Sequence, residues 1–185
     1  MTLPEVIQTQ RLQLRPFTFQ DVEDVFNYAK NPEWGRYLPT PLPYHIEHAE
    51  QFIAQRKLDN PNKEKAWAIT LEGQAIGGVN LRAKAANHAI CELGWSVAHP
   101  HWGKGFMTEV AEAIRDTAFN CLSEMHRLYA RADLRNVGSW RVMEKIGMQR
   151  EGVLRQHIKF RQEWTDEVWY AILRPEWEKL VEKKK

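Results

Sequence analysis

Residues 91–121 determine the architecture, and they read CELGWSVAHPHWGKGFMTEVAEAIRDTAFNC. Apolar side chains alternate with polar ones over residues 91–98, and this period of two predicts a strand with one buried face. From Met107 onward the apolar residues recur at helical spacing with charged residues between them, which predicts a long amphipathic helix. Two glycines, Gly103 and Gly105, lie between strand and helix. The stretch is therefore predicted to be a strand, a glycine-containing turn and a helix.

The turn around Lys104 has the properties of an anion-binding site. The first N–H groups of a helix have no intrahelical partner and lie at the positive end of its dipole. Glycine carries no Cβ, so a bulky anion can approach the backbone closely. Lys104 adds a positive charge, and the turn is predicted to bind a phosphate group. The motif is short, and a plain tight turn that uses glycine for its positive φ explains it equally well.

Two phosphate motifs with longer signatures are excluded. A Walker-type loop needs an earlier glycine and a Ser or Thr directly after the lysine, but Gly105 follows Lys104. A dinucleotide-binding fingerprint needs a third glycine where this chain has Thr108. What remains is a backbone anion site at the N-terminus of a helix.

A second pair of polar residues begins the next predicted helix. Asn136 and Ser139 share one helix face at the start of residues 136–146, which follow a predicted strand over 127–132. A helix joins this strand to the strand over 91–98, so the two are predicted to be parallel, and ligands collect where such strands end. Both side chains are therefore candidates for a ligand crevice. The alternative is that Asn136 caps the helix and Ser139 assists it.

The order of elements predicts a mixed sheet. The chain shows the pattern β-α-α-β-β-β-α-β-α-β-β, beginning with a strand over 6–15 and ending in a charged helical tail over 175–185. Hairpins require antiparallel pairing, whereas the crossover at 91–132 requires a parallel pair. We therefore predict an α/β (α+β) fold with a mixed, mostly antiparallel sheet of about seven strands flanked by helices, in a single domain over 1–185.

Composition argues against several classes of protein. Lys and Arg number 26 against 24 Asp and Glu, for a net charge of +2, and they are interspersed, so no nucleic-acid partner is expected. No basic segment followed by an apolar run begins the chain, and no window approaches roughly 18 uninterrupted apolar residues, so no secretion signal or membrane span is expected. His45 and His48, like His99 and His101, match no zinc spacing, so no metal is expected. The expected location is the cytoplasm.

Taken together, the motifs resemble a known family. Residues 102–109 read WGKGFMTE, residues 136–148 combine N-x-x-S with a later E-K-I-G-M, and RLQLRPFT lies near the start of the chain. These segments, with GVLRQHI and the later Asp166 and Tyr170, resemble the GNAT acetyltransferases, nearest to the ribosomal-protein alanine N-acetyltransferases. The resemblance covers nearly the whole chain. It implies the GNAT fold and transfer of an acetyl group from acetyl-coenzyme A to an amine.

The resemblance also implies roles for residues around the coenzyme. The pyrophosphate cradle would be formed by Gly103, Lys104, Gly105, Phe106, Met107 and Thr108. Val97 would supply main-chain contacts to the pantetheine arm, Asn136 would touch that arm, and Ser139 would lie near the sulfur. The family pattern often has Gln or Arg where this chain has Pro100, which puts one side-chain contact in doubt and leaves the backbone cradle intact.

Acyl transfer from a thioester to an amine requires three functions. A base or a water relay removes a proton from the amine, N–H donors stabilise the oxyanion, and a hydroxyl protonates the leaving thiolate. Glu92 is the first candidate for the base, because it is an acid on the strand face opposite Trp95. Ser139 is the candidate acid, with Tyr170 behind it. The alternative for Glu92 is a surface or paired carboxylate without a catalytic role.

No motif in the sequence identifies the acceptor of the acetyl group. Its selection is expected to depend on the loop over 31–45 and the hairpin turn over 161–163. By resemblance the acceptor is a primary amine such as a protein N-terminus. A small-molecule amine remains an alternative, as does a coenzyme-binding regulatory protein without transferase activity. The chain is expected to be a monomer or a homodimer.

Overall fold

The computed structural model describes residues 1–85 and 87–183, in which one eight-stranded sheet carries helices on both faces. The strands are β1 Ile7–Gln8, β2 Gln13–Arg15, β3 Glu64–Leu71, β4 Gln74–Ala83, β5 Ile90–Val97, β6 Arg127–Asp133, β7 Gln149–Phe160 and β8 Glu163–Leu173. The helices are α1 Val22–Ala29, α2 Ile46–Leu58, α3 Phe106–Cys121, α4 Val137–Lys145 and α5 Arg174–Glu182. The strand order across the sheet is β1-β2-β3-β4-β5-β6-β8-β7.

The sheet is mixed because of a single crossover. Neighbouring strands pair antiparallel except β5 and β6, which run parallel because α3 connects them. This confirms the predicted α+β class and the mostly antiparallel sheet. The described residues form eight strands rather than about seven, because the strand predicted over 6–15 is divided into β1 and β2.

The division of the first strand has its cause in α3. Glu109, in the first turn of α3, accepts hydrogen bonds from the Thr9 hydroxyl at 2.6 Å and from the Arg11 backbone N–H at 2.7 Å. Thr9 also closes a turn, because its N–H donates to the Leu12 carbonyl at 2.9 Å. Bringing these groups to one carboxylate requires a tight hairpin, so the prediction of a continuous strand was wrong. The N-terminal hairpin is thereby held against the start of α3.

Two clusters of apolar side chains cover the two faces of the sheet. Helices α3, α4 and α5 pack on one face, where they meet alternate residues of β5 such as Leu93 and Val97. The predicted apolar stripe of α3 is buried there, and it comprises Met107, Val110, Ala111, Ile114 and Ala118. Helices α1 and α2 cover the other face through Val25 and Ile53, which pack in one cluster with Ala68 of β3. Each fully buried Val or Ile stabilises the fold by about 1.5–3 kcal/mol.

The parallel pair is incomplete. Its register joins residues 90–92 to residues 127–129, although β5 has 8 residues and β6 has 7. Beyond this point the two strands separate, while antiparallel ladders continue on both outer sides. Helices α3 and α4 begin beyond the carboxyl ends of β5 and β6. The separation leaves an opening in the middle of the sheet.

Helix α4 stops before Gly147, as its sequence predicts. Gly147 has φ +84°, its N–H donates to the Glu144 carbonyl, and the Met148 N–H donates to the Met143 carbonyl, both at 3.0 Å. This is the pattern of a Schellman C-cap, which favours glycine. A Cβ at Gly147 would also lie 2.5 Å from Cδ1 of Leu180. Backbone conformation and packing therefore both demand glycine here.

Replacing Gly147 by Ala tests this cap. We expect the free energy of unfolding to fall by about 1–3 kcal/mol, because an L-residue at positive φ is strained and Leu180 must move. Gly152→Ala in β7 is the matched control, since a Cβ there meets nothing within 4 Å. Urea unfolding of both variants measures the difference. Equal losses of stability at the two positions would contradict the account of the cap.

Candidate active site

A cavity of about 530 Å³ passes through the sheet at the opening between β5 and β6. Its lining includes Glu92 and Leu93, which are consecutive residues of β5 and so point to opposite faces. Ser139 and Met143 line it from α4, and Arg131 lines it on the face covered by α1 and α2. One cavity reaches both faces because the strands have separated. Compounds bound on the two sides of the sheet can therefore meet in the opening.

Strand β5 turns part of its backbone toward this opening. In an antiparallel pair, successive residues direct their N–H and C=O groups alternately to either side. The Ala98 N–H donates to the Ile76 carbonyl at 2.7 Å, on the β4 side. Val97 and Trp95 therefore direct their backbone groups away from β4 and into the opening. The Val97 carbonyl accepts the indole N–H of Trp102 at 2.8 Å, which leaves the Val97 N–H for a ligand.

The predicted phosphate cradle has the expected backbone conformation. Gly103 and Gly105 adopt φ +73° and +79°, and Gly105 is the N-cap of α3. A Cβ built on Gly103 would meet nothing within 4 Å, so the space beside the turn is open. The side chains of Phe106 and Met107 are buried, and these residues offer only their backbone N–H groups to a ligand. The turn, with Lys104 and Thr108, fits a diphosphate.

Sequence reasoning missed a second cation at this turn. The Arg11 guanidinium donates to the Lys104 carbonyl at 3.1 Å, pairs with Glu109 at 2.7 Å and stacks 4.5 Å from the centre of the Phe106 ring. It therefore braces the turn, while Glu109 balances its charge. Arg11 precedes Lys104 by 93 positions, so no local pattern connects them.

Asn136 and Ser139 lie together at the start of α4, and both line the cavity. The Asn136 side-chain oxygen accepts the Ser139 backbone N–H at 3.3 Å, which confirms that Asn136 caps the helix. This bond uses the amide oxygen and leaves the NH₂ group of Asn136 for a ligand. The Ser139 hydroxyl belongs to the same wall, at the end of β6.

Glu92 lies at the point where β5 and β6 separate, and its carboxylate is firmly paired. It lies 2.6 Å from Nζ of Lys84 and 2.8 Å from Nε of Arg131. Burial alone would raise its pKa, but hydrogen bonds and charges from Lys84 and Arg131 outweigh burial and hold the pKa below its usual value. Glu92 is thus ionised near neutral pH and a weak base. Its contacts match the alternative of a paired carboxylate.

Tyr170 is placed differently from the other predicted residues. Its side chain is buried in the core, and its hydroxyl donates to Glu144 at 3.1 Å. Burial and this hydrogen bond raise the pKa of Tyr170. Among the described residues, the cavity lining includes Glu92 and Ser139 but not Tyr170. The structure therefore brings two of the three predicted catalytic residues together.

The floor of the cavity carries an ion-pair network that sequence reasoning did not find. Carboxylates and guanidinium groups alternate across the sheet in the order Glu64, Arg82, Glu92, Arg131 and Glu167. Successive members lie 2.9, 4.0, 2.8 and 2.8 Å apart and come from five different strands. All five line the cavity. The sequence places each on a polar strand face but does not show which residues pair.

The loop and hairpin that were expected to select the acceptor meet above this floor. Arg161, in the turn between β7 and β8, donates through one nitrogen to three carbonyls of the loop. The acceptors are Gly35 at 2.8 Å, Leu38 at 3.3 Å and Thr40 at 3.3 Å. Trp34 and Tyr44 of the same loop are buried and line the cavity. The contact joins the loop to the hairpin on the acceptor side of the cavity.

Two further features concern residues 1–85 and 87–183. No group of three or more His, Cys, Asp or Glu side chains is arranged to hold a metal ion there. The same residues contain no helix with the length and apolar character needed to cross a bilayer.

Known proteins resemble this chain in sequence and in architecture. Residues 11–149 match the acetyltransferase (GNAT) domain family. The uncharacterized N-acetyltransferase YnaD of Bacillus subtilis is 34% identical over 92% of this chain and 98% of its own length. The GNAT-family acetyltransferase of Bacillus anthracis superposes with a TM-score of 0.80 at 30% identity, covering 91% of this chain and 98% of that one. The [ribosomal protein uS5]-alanine N-acetyltransferase of Escherichia coli is 29% identical over 57% of this chain and 55% of its own.

The chain therefore belongs to the GNAT acetyltransferase family. It is an N-acetyltransferase that depends on acetyl-coenzyme A. This confirms the family, the fold and the enzyme class expected from the motifs around residues 102–109 and 136–148.

The charge state of Glu92 gives a prediction for stability. A carboxyl group whose pKa is lower in the folded than in the unfolded state stabilises the fold at any pH above its unfolded-state pKa. This contribution is lost as the pH falls through the folded-state pKa. We therefore expect Glu92→Gln to lower the free energy of unfolding at pH 7, with a deficit that shrinks below the ordinary Glu pKa of 4.5. Urea unfolding across the acid range measures it, with the exposed Glu178→Gln as control. A deficit that is independent of pH would contradict the assignment.

Proposed function

We propose that this enzyme binds acetyl-coenzyme A with the pantetheine arm in the opening between β5 and β6, and acetylates a primary amine that enters from the opposite face. The observation that carries the proposal is the cavity through the sheet. Its α4 side is lined by Asn136 and Ser139, and its other side by the ion-pair network. The cradle follows directly after β5. Donor and acceptor thus approach one opening from opposite faces.

The residues that would hold the coenzyme supply mostly backbone groups. The cradle comprises Gly103, Lys104, Gly105, Phe106, Met107 and Thr108, whose N–H groups and positive dipole suit a pyrophosphate. The Val97 N–H would bond the pantetheine arm as an added strand would, since it faces the opening. The NH₂ group of Asn136 would donate to a carbonyl of the same arm. Arg11, whose charge is paired with Glu109, holds the turn in place through the Lys104 carbonyl.

When bound, acetyl-coenzyme A supplies a thioester, whose C–S bond breaks as the amine nitrogen forms the new C–N bond. The Trp95 N–H faces the opening and is proposed to stabilise the negative charge that develops on the carbonyl oxygen. The Ser139 hydroxyl is proposed to donate a proton to the departing sulfur. Glu92 is too weak a base to keep the proton of the amine, so we propose that this proton leaves through water. Tyr170 is bonded to Glu144 and has no role in the proposed reaction.

We propose a peptide N-terminus as the acceptor. The E. coli relative is named for acetylating the alanine of a ribosomal protein. In the cavity wall, the buried indole N–H of Trp34 has no hydrogen-bond partner among residues 1–85 and 87–183. An unsatisfied buried donor costs about 1–3 kcal/mol, which a carbonyl next to the acceptor amine would offset. An N-terminal residue provides that carbonyl.

A small-molecule amine is the second candidate. Arg161 joins the hairpin to the loop on the acceptor side, and the cavity measures about 530 Å³. A cavity of this size suits a compact ligand.

Replacing Gly103 by Ala tests the cradle. The variant should bind coenzyme A at least about ten-fold more weakly, because a Cβ intrudes where the pyrophosphate meets the backbone. Gly73→Ala is the matched control: Gly73 also has positive φ, +87° against +73°, and a Cβ there likewise meets nothing within 4 Å. Both variants should lose similar stability, and calorimetric titration should show weaker binding for Gly103→Ala alone. Equal affinities of the two variants for coenzyme A would contradict the proposal that the turn binds the pyrophosphate.

Thiol release from acetyl-coenzyme A tests the acceptor. We expect release with peptides that carry a free N-terminus and no release with the same peptides blocked by an acetyl group. Polyamines, amino acids and aminoglycosides form the small-molecule arm of the panel. Transfer to these alone would favour the second candidate. Tight coenzyme binding without transfer to any amine would contradict the proposed reaction.

A further inference from the structure

Glu167 is a buried acid that the proposed reaction does not use. It lies on β8 opposite Asp133 of β6, and only 6% of the residue is exposed. One carboxylate oxygen accepts from Arg131 at 2.8 Å, and the other accepts the Trp169 indole N–H at 2.9 Å. A carboxylate can accept about four hydrogen bonds, so both oxygens retain capacity. Glu167 lines the cavity.

The acids of the ion-pair network differ in how well cations balance them. Glu64 pairs with Arg56 and Arg82, both at 2.9 Å. Glu92 pairs with Lys84 at 2.6 Å and Arg131 at 2.8 Å. Glu167 has one guanidinium, that of Arg131, which it shares with Glu92.

The remaining basic neighbour of Glu167 does not restore the balance. His157 lies 3.8 Å away and is charged only when protonated. The end of the network at Glu167 therefore carries the least compensated negative charge in the cavity floor. A buried carboxylate with too little positive charge is costly, and a cationic ligand would relieve that cost.

The position of Glu167 suits the amine of an acceptor. Arg131 joins it to Glu92, which marks the point where β5 and β6 separate. Its partner in the β6–β8 ladder is Asp133, the last residue of β6. Asp133 comes shortly before Asn136 and Ser139, which line the side of the cavity proposed for acetyl-coenzyme A. Glu167 thus lies on β8, one strand beyond the β6 rim of the opening, and its side chain meets Arg131 of β6 on the acceptor face. An amine held there would be presented to the opening.

We propose that Glu167 binds the protonated amine of the acceptor and makes the enzyme selective for amines over neutral analogues. The inference rests on the proposed function, because it assumes that the acceptor enters on this face. In this role Arg131 holds Glu167 and Glu92 in place, and Glu92 remains fully paired. Glu167 binds the ammonium form, and the proton is lost to water before the nitrogen attacks.

The test uses L-phenylalaninamide, which carries the ammonium group, and 3-phenyllactamide, in which a hydroxyl replaces it. The ¹⁵N-labelled indole of Trp169 reports on the carboxylate that it touches, and Trp169→Phe assigns its signal. We expect the amine to shift this signal and to bind more tightly than the alcohol. In Glu167→Gln, binding of the amine should weaken by about ten-fold or more while binding of the alcohol is unchanged.

Two further variants separate binding from structural effects. Glu167→Asp keeps the charge and should retain part of the preference for the amine. Glu178→Gln removes an exposed acid of α5, which does not line the cavity, and should bind both probes as the wild type does. Calorimetric affinity for coenzyme A should be the same in all variants, which shows that each one folds. Equal binding of amine and alcohol by the wild type, or an unchanged preference in Glu167→Gln, would overturn the proposal.

Failure of the inference is distinguishable from failure of the proposed function. If peptides are acetylated and Glu167→Gln leaves the KM for the peptide unchanged, the inference fails alone. If the Trp169 signal responds to the ammonium probe but no amine is acetylated, the amine site stands and the transfer reaction fails. A rise in KM with little change in kcat is the result expected of a residue that binds the acceptor.

Discussion

The early end of pairing between β5 and β6 is the constraint on which the rest of the structure depends. A parallel ladder continued to the ends of both strands would close the sheet and separate its two sides. Because the ladder stops after residues 90–92, backbone groups of Trp95 and Val97 face an opening instead of a strand. Buried backbone groups need partners, and the Trp102 indole satisfies only the Val97 carbonyl. The gap in the sheet thereby becomes a place for the amide groups of a ligand.

The position of the ion-pair network, like the gap in the sheet, is better explained by ligand binding than by stability. Burying several charges costs more than packing apolar side chains of similar size, so such a network is weak evidence for stability. Its position on the cavity floor suits a polar acceptor. Lys84 and Arg131 keep Glu92 ionised, so the acid that the sequence suggests as a base is better described as part of the electrostatic environment. Because Glu92 and Glu167 share Arg131 and only Glu92 also has Lys84, Glu167 has less positive charge beside it than Glu92.

Local patterns in the sequence predicted the parts of the molecule that local forces determine. The stripe of α3, the Gly147 cap and the parallel crossover follow from periodicity, positive φ and chain connectivity. The break near Thr9, the brace from Arg11, the core position of Tyr170 and the contacts of Arg161 depend on partners far away in the chain. A single sequence shows the polarity of such residues and not their partners, so the glycine turn before α3 was predictable and the contacts on the acceptor side were not.

Backbone amide shifts during titration with coenzyme A test the central claim most directly. If the coenzyme lies through the opening, the largest changes should occur at residues 103–108 and at Trp95 and Val97, with smaller changes in β3 and β7. The Trp102 indole signal should also move, because this N–H donates to the Val97 carbonyl of β5. Changes confined to the cradle, with none at Trp95 or Val97, would show that the arm does not enter the sheet and would contradict the account.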